Sequence, residues 1–439
     1  MIKTENYIGS KDELTEIFYS GCKNQQLLGL EYEKLPVYKS DYRAVSYEDI
    51  CKIILEMEND KRTVIFEDGN PMGLITENGH ISLEPGSQFE LSLNPMKDIF
   101  EIRKELDLYN AETKEIADKF GILWLGTGIQ PISTNETIKI IPKKRYAQMT
   151  KYLPTRAKYP FVMMRETAGI QVGMDYCSEE DAMAKLKTAI KLSPIVCTMF
   201  SNSPVRNLQK TGKKSFRAFS WLNTDEDRCG LISEKLFTQD FSFNDYRDVL
   251  LDVPMIFLQR ENKCIFLGNY TFREFLKSGY EGHRATFDDW QTHLSLYFTD
   301  VRLKNYLEIR NHDSQRSEMI TAVPAIWKSI LYNKEAQTEI DTILKKAKYQ
   351  DFQELRYYAP NNGYDMKFLN YPLYDLAKEI INISMQSLMM MKTGEEQFLE
   401  PLLCLVKQNK TPADIILEKT AGKEELSLQD LPKLNITVM

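Results

Sequence analysis

The sequence predicts an α+β protein: a mainly antiparallel sheet, with helices dominating toward the C-terminal end. Three observations carry this. Residues 63–92 hold Asp68-Gly69 and Asn78-Gly79 between short apolar runs, two hairpin signals too close together to leave room for parallel crossovers. Segments such as LEYE (30–33) and LKNYLEIR (303–310) alternate apolar and polar residues at the period of a strand. From about residue 333 the apolar positions fall at helical spacing instead, as in Leu373, Leu376, Ile380 and Ile383.

In chain order, Ser10-Lys11-Asp12-Glu13 is a capping box that opens a short helix through Tyr19. LLGLEYEKLPV then reads as a strand. TVIFE, MGLIT, HISLEP and the stretch Ser87–Ser92 form the meander, with Pro85-Gly86 bending the chain before its last strand. Asn94-Pro95 opens a long helix with the stripe Ile99, Ile102, Leu106, Tyr109, Ile116 and Phe120, and Gly121 ends it. ILWLGTGI (122–129) is a near-continuous apolar strand, and AGIQVGMDY (168–176) is another. Ser178 caps a helix carrying Met183, Leu186 and Ile190. LDVPMIFL and KCIFLG flank residues 260–262 as a second hairpin. LKNYLEIR puts Tyr306, Glu308 and Arg310 on one face and Leu307 and Ile309 on the other. The change of character at 333 divides the chain into a catalytic part, 1–332, and a helical part packed on it, 333–439.

Composition excludes several functions. The net charge is −7, from 56 basic and 63 acidic residues, the opposite of a nucleic-acid footprint. No apolar run reaches the ~18 residues of a membrane helix. The start has neither a basic n-region nor an apolar core, so a cytoplasmic protein is expected. The seven cysteines form no CxxC and read as small buried hydrophobes. The four histidines form no close pair, so any metal chemistry falls to carboxylates.

Phosphate-loop motifs are near-misses. Gly212-Lys213-Lys214-Ser215 lacks the first glycine of its motif, and Gly126-Thr127-Gly128 sits on a strand without the helix it needs. What stands out is carboxylates at every second strand position: Glu31 and Glu33, Glu84 before the bend, Gln88 and Glu90 after it, then Glu308. Each has an apolar opposite face. One such strand reads as a solvated polar edge, but three, one ending in an arginine, read as an acid-lined cavity that needs cations and suits Mg²⁺ with phosphate. Arg217 and Arg228 are secondary candidates, and Lys143, Lys144 and Arg145 read as a solvated basic patch.

The strings GLEYEK (29–34), ISLEPGSQFELS (81–92), PKKRYAQMTKYLP (142–154), SNSPV (201–205), W..TDEDR.G (221–230), LDVPMIFL (251–258), YTFREFL (270–276), DVRLKNYLEIRNHD (300–313) and AVPAIW (322–327) occur in that order. Together they resemble the glutamate–cysteine ligases of the plant and proteobacterial type, from about residue 27 to 332. The resemblance implies a glutamine-synthetase-like fold, a curved antiparallel sheet forming a funnel with helices outside. It implies ATP-dependent joining of the L-glutamate γ-carboxylate to the amino group of L-cysteine through a γ-glutamyl phosphate, the first step of glutathione synthesis. The nearest alternative is a ligase of the same family with another amino acid or amine as acceptor. A catalytically dead homologue is disfavoured because the acidic positions and Arg310 are all present.

Residue by residue, the resemblance implies metal ligands at Glu31, Glu33, Glu84, Glu90 and Glu308, binding Mg²⁺ or Mn²⁺, with catalysis by Glu308 and Arg310. Tyr306 and Arg310 would meet the nucleotide, and Gln88, Arg165, Gln171, Arg217 and Trp221 the amino acids. Partners are then the two amino acids and ATP, with neither nucleic acid nor membrane, in a monomer or homodimer. One departure stands out: the family reads Leu-Arg-Thr where this chain has Arg165-Glu166-Thr167. On a strand, a one-residue shift turns a side chain to the other face. The pocket formed by Arg165, Glu166, Gln171 and Arg217 is therefore expected to decide the acceptor.

Overall fold

A computed structural model describes residues 6–238, 240–260 and 263–438. Among them, nine strands form one sheet, all neighbours antiparallel. They are β1 (Leu28–Tyr38), β2 (Thr63–Glu67), β3 (Asn70–Thr76), β4 (Gly79–Leu83), β5 (Phe89–Leu93), β6 (Ile122–Leu125), β7 (Gly169–Met174), β8 (Val301–Leu303) and β9 (Leu307–Asp313). The order across the sheet is β8-β9-β7-β1-β5-β4-β3-β2, and β6 pairs with the second half of β1. The sheet stays open. It bears out the expected α+β class and antiparallel funnel.

β1 organises it. Leu28, Leu30 and Tyr32 enter the main core, while Gly29, Glu31 and Glu33 face the other way. The register sets Glu33 opposite Glu90 on β5, and Glu31 opposite Gln171 on β7. The core face is covered by α1 (Ile99–Lys119), α4 (Glu179–Met199) and α6 (Ala322–Leu331), with α8 (Leu373–Met391) packed on α6, while α2 (Lys144–Tyr152), α3 (Pro160–Glu166) and α5 (Phe216–Leu222) border the polar face and α7 (Tyr349–Asn362) stands beside α5. The C-terminal helices interlock with the sheet's cover: α7 packs on α4 and α5, and α8 on α6. The tail closes a second core, with Gly126 N–H donating to Ile436 O at 2.8 Å and Val438 N–H to Trp124 O at 2.9 Å.

The local signals worked where the chemistry is local. Asp68 and Gly69 take positive φ, 50° and 80°, as a tight hairpin requires. At Gly86 a Cβ would lie 2.2 Å from the Arg165 carbonyl oxygen, so only glycine lets the bend approach α3. Ser178 and Ser10 cap as expected. Four expectations need correction. The long helix begins after Asp98, whose side chain accepts from Glu101 N, and not at Asn94-Pro95. The apolar strand at 122–129 ends at Leu125, beyond which β1 pairs with β5 and β7 instead. LKNYLEIR is not one strand: β8 ends at Leu303, Lys304–Tyr306 turn, and β9 returns beside it. Arg165 and Glu166, expected on a strand, end the helix Pro160–Glu166.

Lys34 is fully buried among the apolar residues. Its Nζ donates to Thr113 Oγ1 at 2.6 Å and Asn110 Oδ1 at 3.3 Å, and sits 3.8 Å and 4.7 Å from the ring centroids of Tyr109 and Trp124. Burial pushes its ammonium well below the usual lysine range. Its proton affinity is thus lower folded than unfolded, so stability rises as pH climbs toward the unfolded lysine pKa of about 10.4. Lys34→Met is expected to be at least as stable as wild type at pH 7.5 and to lose up to about 1.4 kcal/mol per pH unit of that slope. Denaturant unfolding at pH 7.5 and 9.5 measures both, and parallel slopes would show a charged Lys34.

Candidate active site

The polar face of the sheet lines a funnel of about 540 Å³. Along β9, β7 and β1, one ladder row reads Glu308, Gly173, Gly29, and the next brings Gln171 beside Glu31. The two glycines flatten the floor next to Glu308. Tyr306 lies over Gly173, where a Cβ would be 3.3 Å from its ring.

Glu308 is the anchor of a cation cluster. Arg302, its cross-strand neighbour, donates Nε to Oε2 at 2.7 Å and Nη2 at 2.6 Å. Lys304 Nζ lies 2.9 Å from Oε1, and Arg310 Nη1 donates to Oε2 at 2.9 Å. Burial alone would raise the Glu308 carboxyl, but Arg302, Lys304 and Arg310 outweigh it and hold it well below the carboxylate range. Arg310 also donates to Gln171 Oε1, so two acceptors aim its guanidinium into the funnel. The alternation that suggested a single strand hid the turn at 304–306, and so hid Arg302 and Lys304.

The other four carboxylates behave differently. Burial, then Glu84, raises Glu33 to about 7, although Gly169 N–H donates to its Oε2 at 2.7 Å. Burial, then Glu84, Glu31 and Glu33, pushes Glu90 well above the usual range, with Ser82 Oγ donating at 2.9 Å. Burial, then Glu308, raises Glu31. Glu84 accepts from Tyr146 Oη at 3.2 Å. Like charges directly across a ladder repel, and this all-oxygen donor set is the kind that holds Mg²⁺ or Mn²⁺. Among the described residues no three acidic, His or Cys side chains already form a closed cage. Among the described residues no ion pair engages Glu31, Glu33, Glu84 or Glu90, whereas Glu308 has its oxygens engaged by three cationic side chains.

Arg217, in the first turn of α5, donates Nη2 to the Arg310 carbonyl at 3.0 Å, and a Cβ on Gly169 would lie 2.4 Å from it. Trp221, one turn on, meets Phe298 with ring centroids 5.8 Å apart. Both line the funnel. Gln88 lines it as well, but its amide is spent as a brace: Oε1 accepts from Gly86 N, and Nε2 donates to Met164 O and Thr167 O. Arg228 is structural, holding Asp225, Leu296 O, Tyr152 and Pro254 O.

Two expectations fail. Arg165 and Glu166 do not reach the funnel. Arg165 donates to Asn135 O and Ile138 O, and Glu166 takes a two-point ion pair from Arg206 at 2.5 and 2.7 Å. They stand on a helix, so the strand-face reasoning behind their selection does not apply. Nor is the basic patch simply solvated. Lys144 turns out to Asp68, but Lys143 and Arg145 line the funnel, and Arg145 Nε is buried without a hydrogen-bond partner. Arg165→Ala is expected to change KM for cysteine less than about twofold. Glu166→Gln should cost about 3 kcal/mol of stability with KM unmoved, because it removes the buried carboxylate charge that holds half-buried Arg206. Steady-state kinetics and urea melts check this pair; a tenfold KM effect at Arg165 would return it to the pocket.

The model of glutamate–cysteine ligase family 2 matches residues 27–429. The chloroplastic glutamate–cysteine ligase of Nicotiana tabacum is 32% identical over 420 residues, 94% of this chain and 80% of that protein. That of Medicago truncatula is 33% identical over 425 residues, 95% of this chain and 84% of that protein. Among solved structures, glutamate–cysteine ligase from Francisella tularensis in complex with AMP aligns with a TM-score of 0.59 at 15% identity, covering 94% of this chain and 88% of that one. The names of the plant relatives point to a plastid and overturn the cytoplasmic expectation, which rested only on the lack of a recognisable leader.

Proposed function

The chain belongs to glutamate–cysteine ligase family 2, and from that premise we propose how its funnel carries out the reaction. The protein is an ATP-dependent ligase that joins glutamate to cysteine in the first step of glutathione synthesis. A carboxylate is a poor electrophile at neutral pH, so its γ-carboxyl is first phosphorylated and the acceptor amine then displaces phosphate. The transfer needs positive charge where phosphoryl charge develops.

Arg310 supplies it. Held by Glu308 and Gln171, the guanidinium needs little reorientation when the phosphoryl group arrives. Arg302 and Lys304 extend the same positive wall, and Lys143 and Arg145 stand as further cations in the funnel. Tyr306 borders the nucleotide end. Glu31, Glu33, Glu84 and Glu90 would hold Mg²⁺ or Mn²⁺, which supplies charge neutralisation between the carboxylates and the ATP oxygens. Arg217, Trp221 and Gln171 orient the amino acids. Gln88 acts on them only by fixing the bend that carries Glu84.

One observation carries this reading: three cations gathered on buried Glu308 stand in the same funnel as Glu31, Glu33 and Glu90, whose acidity burial weakens, with Glu84 beside them. Phosphate release from ATP with glutamate and each amino acid in turn tests it, with products identified by mass spectrometry. γ-Glutamylcysteine should dominate. Equal phosphate release without glutamate would sink the reading.

A further inference from the structure

A second cavity, of about 40 Å³, opens beside the funnel where β9 runs past the end of its pairing with β8. Arg217, Trp221, Phe298 and Arg310 border both spaces. Beyond them the walls are small and apolar, with Ala218 and Leu222 from α5 and Ala359 and Pro360 from α7. Three of its lining residues carry buried polar atoms with no hydrogen-bond partner: Arg217 Nε, Trp221 Nε1 and Asn311 Oδ1. Buried donors and acceptors are rarely left unmade, and three on one small cavity mark a place meant to be filled. Its other charged side chains are paired, Arg356 Nε donating to Asp300 Oδ2 at 2.8 Å and Arg310 Nη1 to Glu308 Oε2 at 2.9 Å.

We propose that this cavity receives the side chain of the acceptor amino acid, and that α7, from the C-terminal helical region, limits that side chain's size. The inference rests on the ligase reading above. A water-sized sphere needs about 10–15 Å³, so 40 Å³ admits two or three heavy atoms. That matches the methylene and sulfur of cysteine and excludes leucine, methionine and aromatic side chains. Arg217 Nε and Trp221 Nε1, buried donors on two residues that border both spaces, suit the acceptor's α-carboxylate, and Asn311 Oδ1 suits the weak S–H donor. The α-amino group then stays in the funnel, on the side of Arg310. Shape does most of the selecting, as it must for a thiol.

The test separates the acceptor from the phosphoryl step. Hydroxylamine traps γ-glutamyl phosphate as the hydroxamate, releasing phosphate, and needs no side-chain pocket. Ala359→Leu is expected to lower kcat/KM for cysteine at least about fiftyfold while hydroxamate formation stays within about twofold. Leu222→Ala should raise the rate with 2-aminopentanoate at least about tenfold. If Ala359→Leu lowers Tm, Ala359→Val is read in its place. Equal losses with cysteine and hydroxylamine, a raised KM for glutamate, or cysteine kinetics unchanged in both variants would each overturn the assignment. A wild-type protein that forms no hydroxamate from glutamate and ATP would fail the ligase reading itself, so the two failures are distinguishable.

Discussion

Arg310→Ala is expected to lower kcat by about a thousandfold, because it removes a guanidinium that Glu308 and Gln171 hold in the funnel against developing phosphoryl charge. The loss should fall on kcat and kcat/KM alike, the mark of an interaction made in the transition state. Arg310→Lys keeps the charge but not the fork that spans Glu308 and Gln171, and should recover only a small part. Glu308→Gln is the companion. It leaves Arg302, Lys304 and Arg310 crowded without their shared anion, and loss of a buried partner costs about 3–5 kcal/mol. It should therefore lower kcat by about a hundredfold or more and also lower Tm, whereas Arg310→Ala should lower kcat with a smaller change in Tm. Single-turnover ADP formation and thermal melts read both variants. Near-normal turnover by Arg310→Ala would put the reacting phosphoryl group elsewhere.

Removing divalent cations is expected to abolish turnover, with Mg²⁺ or Mn²⁺ restoring it after EDTA. A second readout is independent of catalysis. The pKa of Glu33 is raised to about 7 and that of Glu90 is raised well above its ordinary value. Each binds its proton more tightly folded than unfolded, so its contribution is complete below about pH 4.3 and is lost as pH rises through the folded value. For Glu33 the metal-free protein should lose stability between about pH 4.5 and 7, and Glu33→Gln should flatten that decline. A cation bound among these carboxylates reverses their repulsion, so Mg²⁺ should raise Tm more at pH 8 than at pH 5.5. Equal Mg²⁺ shifts at both pH values would mean that it binds away from Glu33 and Glu90.

Much of the carboxylate face was legible because the signals were local. Asp68-Gly69 dictates a turn by backbone chemistry alone, and the spacing of Glu31 and Glu33 fixes a shared face once the segment is a strand. What was illegible depends on direction rather than pattern. Leu303, Leu307 and Ile309 keep period two straight through the turn at 304–306, so alternation could not reveal that Arg302 doubles back on Glu308. Lys144 and Arg145 are neighbours in sequence but diverge at the start of α2, one toward Asp68 and the other into the funnel. Gln88 carries a substrate-like amide whose partners, Met164 O and Thr167 O, lie far along the chain. The cavity behind Trp221 needs α7, where the sequence showed only helical periodicity.

The strand order also bears on how the molecule is made. β7 lies between β1 and β9, and Arg310 meets Gln171 across 139 residues of chain. Until β9 is synthesised, one edge of β7 has no strand beside it, with Ile170 and Val172 on it and its backbone groups open to pairing with another chain. Contacts so distant form slowly, since the intervening loop must close before they stabilise anything. During that interval the acid row lacks the positive wall that faces it. A nascent chain is therefore most prone to aggregation just before it becomes competent, and phosphoryl-transfer activity should emerge in one step with the docking of β9.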